Sequence, residues 1–103
     1  MEVRVRIPAS LRELVAGAHT VVVDIGAAGP AGVVHDAATV GSVLDALAVE
    51  HPALERRVRD EQGRTRTHVN LFVGADNVRD LDGLTTAIAP GAELTIIPAI
   101  SGG

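Results

Sequence analysis

Apolar residues occupy alternate positions in two segments of the chain, residues 2–7 near its beginning and residues 93–98 near its end. A period of two residues is typical of a β-strand that buries one face and exposes the other. A run of β-branched residues within 19–25 predicts another strand, so the chain opens with a β-hairpin. The intervening residues 10–16 are compatible with a helical turn, but Gly17 and the β-branched run after it favour a wide turn that joins the two strands.

The hydrophobic period changes from two to about 3.6 after residue 39. Apolar residues recur at i, i+3, i+4 and i+7 from Val40, and Thr39 before them is a favourable N-cap. The pattern predicts one amphipathic helix over residues 40–50, which ends before Pro52. A further helical turn or two is expected within residues 53–60.

Shorter segments complete the second half of the chain. Residues 69–73 form a mostly apolar run that predicts a strand, and residues 74–77 supply turn formers ahead of a brief extended piece at 78–79. A compact helical turn or coil is expected at 84–88. Pro-Gly at 90–91 predicts a reverse turn before the last strand.

A hairpin, a helix and further strands in about 100 residues, without an internal repeat, predict an α+β domain. The expected arrangement is the β-grasp, a mixed four- to five-stranded sheet wrapped around one main helix, with the first and last strands parallel at its centre. Residues 1–99 form the single domain and residues 100–103 a flexible tail. The predicted core is Val3, Val5, Ile7, Val21, Val23, Val43, Leu44, Leu47, Leu71, Leu94 and Ile96.

The composition limits what such a domain does. With 47% hydrophobic and 21% charged residues, the 103-residue chain forms one compact domain with little room for a deep cleft. It contains no cysteine, which excludes disulfides, thiolate metal sites and cysteine nucleophiles. The absence of cysteine also favours a cytoplasmic protein.

Charge and aromatic content argue against nucleic acid as a partner. The formal net charge is −4, and Phe72 is the one aromatic residue available for stacking on a base. A membrane partner is not expected either, because no apolar run approaches the roughly 20 residues of a membrane span. The first residues alternate charge with valine and do not resemble an export signal.

Side chains with catalytic potential are scattered. His19, His35, His51 and His68 do not show the spacing of a helical metal site, and no serine lies in a G-x-S-x-G motif. No glycine cluster matches a phosphate-binding loop. The sequence therefore predicts a chain that is not an enzyme and has no intrinsic cofactor or metal.

The terminal pair Gly102 and Gly103 directly follows the predicted last strand. A cloning scar or a frayed tail are the plain explanations, but glycine without a side chain is also the narrowest segment that can thread a tunnel. From Ala99 the remaining residues span roughly 13 to 14 Å when extended. The carboxylate of Gly103 would then attack the α-phosphorus of ATP in a partner that supplies the metal and the cationic groups.

Several segments together resemble one family of proteins. They are VNLFV at 69–73, VR at 78–79, GLTTAI at 83–88, GAELTIIPA at 91–99 and the final GG at 102–103. This set is similar to the ubiquitin-like sulfur carriers of the ThiS/MoaD superfamily, and within it to the cysteine-biosynthesis branch, the CysO type. The resemblance runs from the first strand to the last residue and is weak between residues 26 and 36.

The resemblance implies a function for the terminal glycines. A ubiquitin-activating-like adenylyltransferase and sulfurtransferase, which uses ATP and magnesium, would adenylate Gly103 and convert it to a thiocarboxylate, while Gly102 allows threading. In the cysteine branch, a pyridoxal-phosphate-dependent cysteine synthase takes the sulfur and a metallopeptidase releases the cysteine. In the sister branches the sulfur goes to molybdopterin or to the thiamin thiazole.

The partner surface is expected on the sheet face away from the helix, where Phe72 and Ile97 lie beside Arg4 or Arg6. The partner-binding residues are predicted to be Phe72, Ile97, Pro98, Ile100 and Ser101. The glycine-rich stretch at 26–32 departs from the family pattern and resembles an inserted extended loop that adds or blocks partner contacts.

Two readings of the sequence stay open. A noncatalytic ubiquitin-like binding module with an inert tail is the alternative to a carrier. All nine basic residues are arginine, which reflects either compositional bias or the advantage of having no lysine amine to capture an activated carboxyl group.

Overall fold

The computed structural model of the 103-residue chain describes residues 2–25, 38–89 and 91–98. The predicted loop at 26–32 and the predicted tail at 100–103 lie outside these residues. The strands are β1 (Glu2–Arg6), β2 (Thr20–Asp24), β3 (Ala38–Thr39), β4 (Val69–Val73), β5 (Asp76–Asn77), β6 (Ala87–Ile88) and β7 (Glu93–Pro98). The α-helices are α1 (Val40–Glu50) and α2 (Pro52–Val58).

Five of these strands form one mixed sheet in the order β2-β1-β7-β4-β5. The first and last strands, β1 and β7, lie side by side and run parallel, with Val5 opposite Leu94. The neighbouring pairs, β1 with β2 and β7 with β4, are antiparallel. The predicted central parallel pair and the β-grasp arrangement are therefore confirmed.

The helix α1 packs against one face of this sheet, and the hydrophobic core lies between them. Every residue of the predicted core is buried. The alternation of β1 and β7 decides this outcome, because it directs Val3 and Val5 and their neighbours Leu94 and Ile96 to the same side of the sheet. Further buried apolar residues are Leu11, Val15, Ala38, Val40, Leu54, Val58, Val69, Val78 and Ile88.

A capping box begins α1 where the sequence predicts it. The Thr39 hydroxyl accepts a hydrogen bond from the Ser42 amide at 3.1 Å, and the Ser42 hydroxyl accepts one from the Thr39 amide at 2.8 Å. These reciprocal bonds satisfy backbone donors that a helix leaves unpaired at its first turn. Pro52 begins α2, so the two helices are separated at His51 as predicted.

Residues 10–16 do not form the expected wide turn. Ala9–Val15 is a 3-10 helix, and it ends where Ala16 adopts a left-handed backbone with φ of 56°. The turn prediction gave weight to Gly17 and overlooked the spacing of Leu11 and Val15, which places both side chains in the core. Burial of these two side chains stabilises the helical turn.

The expected extended piece at 78–79 is also wrong. The short strand β5 lies two residues earlier, and Val78–Asp80 is a 3-10 helix. The side chain of Asn77 explains the change, because its Oδ1 accepts a hydrogen bond from the Arg79 amide at 3.0 Å and so caps the helical turn.

The region 84–88 contains both a turn and a strand. Gly83–Thr85 is a 3-10 helix, in line with the predicted compact turn, and β6 then pairs with β3 in a small second sheet. The reverse turn predicted at 90–91 agrees with a hydrogen bond from the Ala92 amide to the Ala89 carbonyl at 3.0 Å and with the φ of +83° at Gly91.

A half-buried ion pair joins the two α-helices. The side chain of Arg59 is 11% exposed, and it contacts Glu55 at 2.7 Å and Asp45 at 3.0 Å. Burial by itself would lower the pKa of Arg59, but the hydrogen bonds to Glu55 and Asp45 outweigh it and raise the pKa above its ordinary value. The Glu55 side chain is 15% exposed, and Arg59 is the cation that contacts it among the described residues.

Replacement of Arg59 by alanine is expected to lower the free energy of unfolding by about 2 kcal/mol, because Glu55 would keep a half-buried charge without a counterion. Urea unfolding followed by circular dichroism measures the change. The matched control is Arg64→Ala, since Arg64 is 76% exposed and lies 3.9 Å from Asp60, and there we expect less than about 0.5 kcal/mol. Equal losses in the two variants would contradict the role of burial.

Candidate functional site

The last strand positions the carboxyl end of the domain. β7 is paired with β1 on one side and with β4 on the other, and its final residue Pro98 lies opposite Val69. Pairing with β1 covers Glu93 to Thr95, and pairing with β4 continues to Pro98, so the β4 ladder restricts the direction of the strand at its end. The predicted reactive residues Gly102 and Gly103 follow in sequence and lie outside the described residues, as do Ile100 and Ser101.

Of the other predicted partner-binding residues, Phe72 and Ile97 lie on the sheet face away from α1. Pro98 has the parity of the buried Leu94 and Ile96 and lies on the core side of the sheet, opposite the buried Val69. In the pairing register Phe72 lies opposite Thr95, and Asn70 lies opposite Ile97. Phe72 and Ile97 are therefore diagonal neighbours on one face. Ile97 is 43% exposed, whereas Phe72 and Pro98 are half-buried.

Basic residues flank this apolar pair on β1. Arg6 lies opposite Thr95, and Arg4 lies opposite Glu93 further from the end of β7. Of the two arginines that the sequence places beside Phe72 and Ile97, Arg6 is thus in the same cross-strand row as Phe72. The outward face of the sheet combines exposed apolar and cationic groups next to the point where the chain leaves it.

Sequence reasoning missed Arg12. This side chain lines a shallow depression of about 180 Å³ together with Arg6, Pro8 and Ile97. Its Nε donates a hydrogen bond to the carbonyl of Ile7 at 3.1 Å. The signal that would have found it is the pair Leu11 and Val15, because a helix that buries both of them fixes the position of the residue between them.

Among the described residues, no second site has side chains whose arrangement indicates a reaction or a bound ligand. A depression of about 580 Å³ beside α2 is lined by Asp45, Glu55, Arg59 and other charged groups, but Arg59 is engaged by both carboxylates. In residues 2–25, 38–89 and 91–98 there is no group of three or more histidine, cysteine, aspartate or glutamate side chains that could hold a metal. No helix in that part of the chain is long and apolar enough to span a membrane.

Comparison with known proteins agrees with this fold. The ThiS family matches residues 5–103. Small archaeal modifier protein 1 of Haloferax volcanii is 39% identical over 89 residues, which cover 86% of this chain and 87% of that protein. The sulfur carrier protein CysO of Mycobacterium tuberculosis is 37% identical over 67 residues, which cover 63% of this chain and 72% of that protein.

Solved structures show the same likeness. A chain in the crystal structure of the Amycolatopsis orientalis BexX/CysO complex superimposes with a TM-score of 0.77 at 30% identity, and the match covers 98% of this chain and 99% of that one. The crystal structure of SAMP1 from Haloferax volcanii superimposes with a TM-score of 0.75 at 37% identity, over 100% of both chains.

A β-grasp domain with its last strand at the centre of the sheet is the fold of the ubiquitin-like carrier proteins. The chain belongs to the ThiS family. It is a small ubiquitin-like sulfur carrier of the type that includes CysO and the small archaeal modifier proteins, and it is not itself an enzyme.

Substitution of two adjacent isoleucines of β7 tests the different roles of its two faces. Ile96→Thr is expected to lower the free energy of unfolding by about 2 to 3 kcal/mol, because a hydroxyl replaces an ethyl group in the core. Ile97→Thr makes the same chemical change on the exposed face and is expected to cost less than about 0.7 kcal/mol. Denaturant unfolding of both variants measures this, and a large loss for Ile97→Thr would mean that this face is packed.

Proposed function

We propose that the chain carries sulfur as a thiocarboxylate on Gly103 and donates it for cysteine biosynthesis. The observation that carries the proposal is the continuation of the central strand β7 into a sequence that ends in Gly-Gly. From Pro98, the five residues 99–103 span roughly 16 to 18 Å when extended. That length takes the terminal carboxylate into a partner's active site while the folded domain stays outside.

The chemistry divides between carrier and partner. A carboxylate oxygen of Gly103 attacks the α-phosphorus of ATP, the bond to pyrophosphate breaks, and an acyl-adenylate forms. Sulfide bound by the partner then attacks the acyl carbon, AMP leaves with the bonding electron pair, and a thiocarboxylate remains on Gly103. The activating enzyme supplies ATP, magnesium and sulfur, and this chain has no intrinsic cofactor in the scheme.

The carrier needs neither a thiol nor a side-chain amine. A chain without cysteine or lysine has no such side chain to attack its own activated terminus. The absence of cysteine also agrees with a cytoplasmic location. Gly102 has no side chain to obstruct a narrow entrance to the partner's site.

The acceptor is proposed from the relatives and from the end of β7. The CysO relatives and the sequence Ile97-Pro98-Ala99 support the cysteine branch. A pyridoxal-phosphate-dependent cysteine synthase would then take the sulfur, and a metallopeptidase would release the cysteine. The BexX/CysO structure supports a partner protein that binds a carrier of this fold directly, since that carrier was crystallised in a complex.

A second candidate is a protein modifier, favoured by the 39% identity to small archaeal modifier protein 1 over 86% of this chain. It shares the adenylation step and differs in the acceptor, which is an amine of another protein and forms an amide. Sulfur carriage to molybdopterin or to the thiamin thiazole, and a noncatalytic binding module with an inert tail, are the remaining alternatives.

Incubation with ATP, magnesium, sulfide and the activating enzyme of the same organism is expected to raise the intact mass by about 16 Da. Oxidation of the single methionine, Met1, adds nearly the same mass, so fragmentation must locate the gain at Gly103. Alkylation by iodoacetamide at the terminus provides independent evidence of sulfur there.

An unchanged mass beside an enzyme that activates a known carrier would refute sulfur carriage. The purified thiocarboxylate is then offered separately to a cysteine synthase, a molybdopterin synthase subunit, a thiazole synthase and an amine-bearing protein. Consumption by the cysteine synthase alone supports the cysteine branch, and an amide-linked conjugate supports the modifier.

Substitution of Gly102 by phenylalanine is expected to slow thiocarboxylate formation about 100-fold or more, because a bulky side chain displaces the carboxylate from the reacting position. The thermal unfolding midpoint should stay unchanged, since no core contact of the tail is predicted. Ala75→Phe adds the same ring at an exposed turn and serves as the control. Unimpaired activation of Gly102→Phe would exclude a narrow tunnel, and loss of folding would show that the tail is packed.

A further inference from the structure

Two arginines lie beside the end of the last strand. Arg6 is the final residue of β1 and Arg12 lies in the 3-10 helix that follows, and both line the depression of about 180 Å³. The same depression is lined by Ile97, which directly precedes the final residue of β7. This pair of cations, which we call the arginine pair, therefore lies at the root of the terminal segment.

Arg12 is held in a fixed orientation. Its half-buried side chain donates from Nε to the Ile7 carbonyl at 3.1 Å, and its own carbonyl accepts from the Gly17 amide at 2.7 Å. Within the described part of the chain its two terminal nitrogens have no hydrogen bond, and no carboxylate lies within ion-pair distance. A guanidinium whose inner nitrogen is anchored presents its outer donors without further loss of side-chain entropy.

Arg6 supplies a second and looser cation. Its side chain is 62% exposed, and its one carboxylate contact among the described residues is Glu93 at 3.8 Å, too long for a strong hydrogen bond. Among the described residues, the two positive charges of the arginine pair are thus balanced by at most one carboxylate, and the contact with that carboxylate is weak. This local excess of positive charge contrasts with the formal net charge of the whole chain, which is −4.

Position makes this excess relevant to the proposed function. The terminal carboxylate is at most about 18 Å from Pro98, so a protein that takes Gly103 into its active site must bring its own surface against the end of β7. That surface covers the depression that Ile97 and Arg12 line. A planar guanidinium with free outer nitrogens matches a carboxylate in two parallel hydrogen bonds.

We propose that the arginine pair is a recognition site for a carboxylate-bearing loop of the protein that receives the terminal segment, with Arg12 as the main contact. The proposal rests on the proposed function, because it requires a partner that admits the tail. The pair acts by orienting the domain over the entrance, and it takes no part in the reaction at Gly103.

The test uses the full chain and the activating enzyme described above. Arg12→Gln is expected to raise the dissociation constant about tenfold, measured by calorimetry. In pyrophosphate exchange the KM for the carrier should rise equally while kcat stays near the wild-type value, because chemistry at Gly103 is unchanged. Arg12→Lys should recover only part of the affinity, since an ammonium does not form the two parallel bonds.

Controls separate recognition from folding and from net charge. Arg57→Gln makes the same charge change on an exposed residue of α2 and should alter the dissociation constant less than about twofold. Arg6→Gln tests the pair through a side chain that no described hydrogen bond ties to the fold, so it decides the matter if Arg12→Gln is unstable. The dependence of binding on salt should be weaker in both pair variants than in Arg57→Gln.

Wild-type affinity in Arg12→Gln and in Arg6→Gln, with normal activation of the wild-type chain, would overturn the proposal and leave the proposed function intact. Tighter binding by Arg12→Gln would also overturn it. That result would mean that the arginines bind the chain's own terminal carboxylate and hold it back from the partner. A wild-type chain that is never activated would instead refute the proposed function.

Discussion

The parallel pairing of β1 with β7 is the constraint on which the rest of the fold depends. Two parallel strands cannot be joined by a tight turn, so the chain between them must cross from one end of the sheet to the other. Here that crossing contains α1, which covers the face where Val5 and Leu94 meet in register. The same pairing places the last strand at the centre of the sheet, and the carboxyl terminus therefore extends from the most strongly supported part of the domain.

Regular periodicity made most of the fold predictable. The alternation of β1 and the helical spacing of α1 each depend on a single buried face, which a sequence shows directly. The 3-10 helix at Ala9–Val15 was not predicted, because it is stabilised by the distant core that Leu11 and Val15 enter. The pairing of β3 with β6 was missed for a similar reason, since two-residue strands carry no period and arise from tertiary contact.

The candidate site divides in the same way. Parity along β7 predicts that Ile97 faces away from Ile96, and the structure bears this out with one exposed and one buried isoleucine. The half-burial of Phe72 depends on the neighbours that the sheet register brings beside it, which composition cannot reveal. Arg12 required the position of an unpredicted helix and its hydrogen bond to Ile7. The orientation of a side chain was thus predictable where it depends on a single strand. The half-burial of Phe72 and the position of Arg12 depend on two elements and were not predictable.

The central position of β7 also has a mechanical consequence. A pull on the carboxyl terminus acts along the axis of β7, and its hydrogen bonds to β1 and β4 lie across that axis on both sides. The force is therefore shared as shear by the hydrogen bonds of both ladders. An edge strand pulled sideways would instead lose its hydrogen bonds one at a time. A force that acts on β7 along its axis therefore meets the combined resistance of both ladders, which keeps the strand in the sheet.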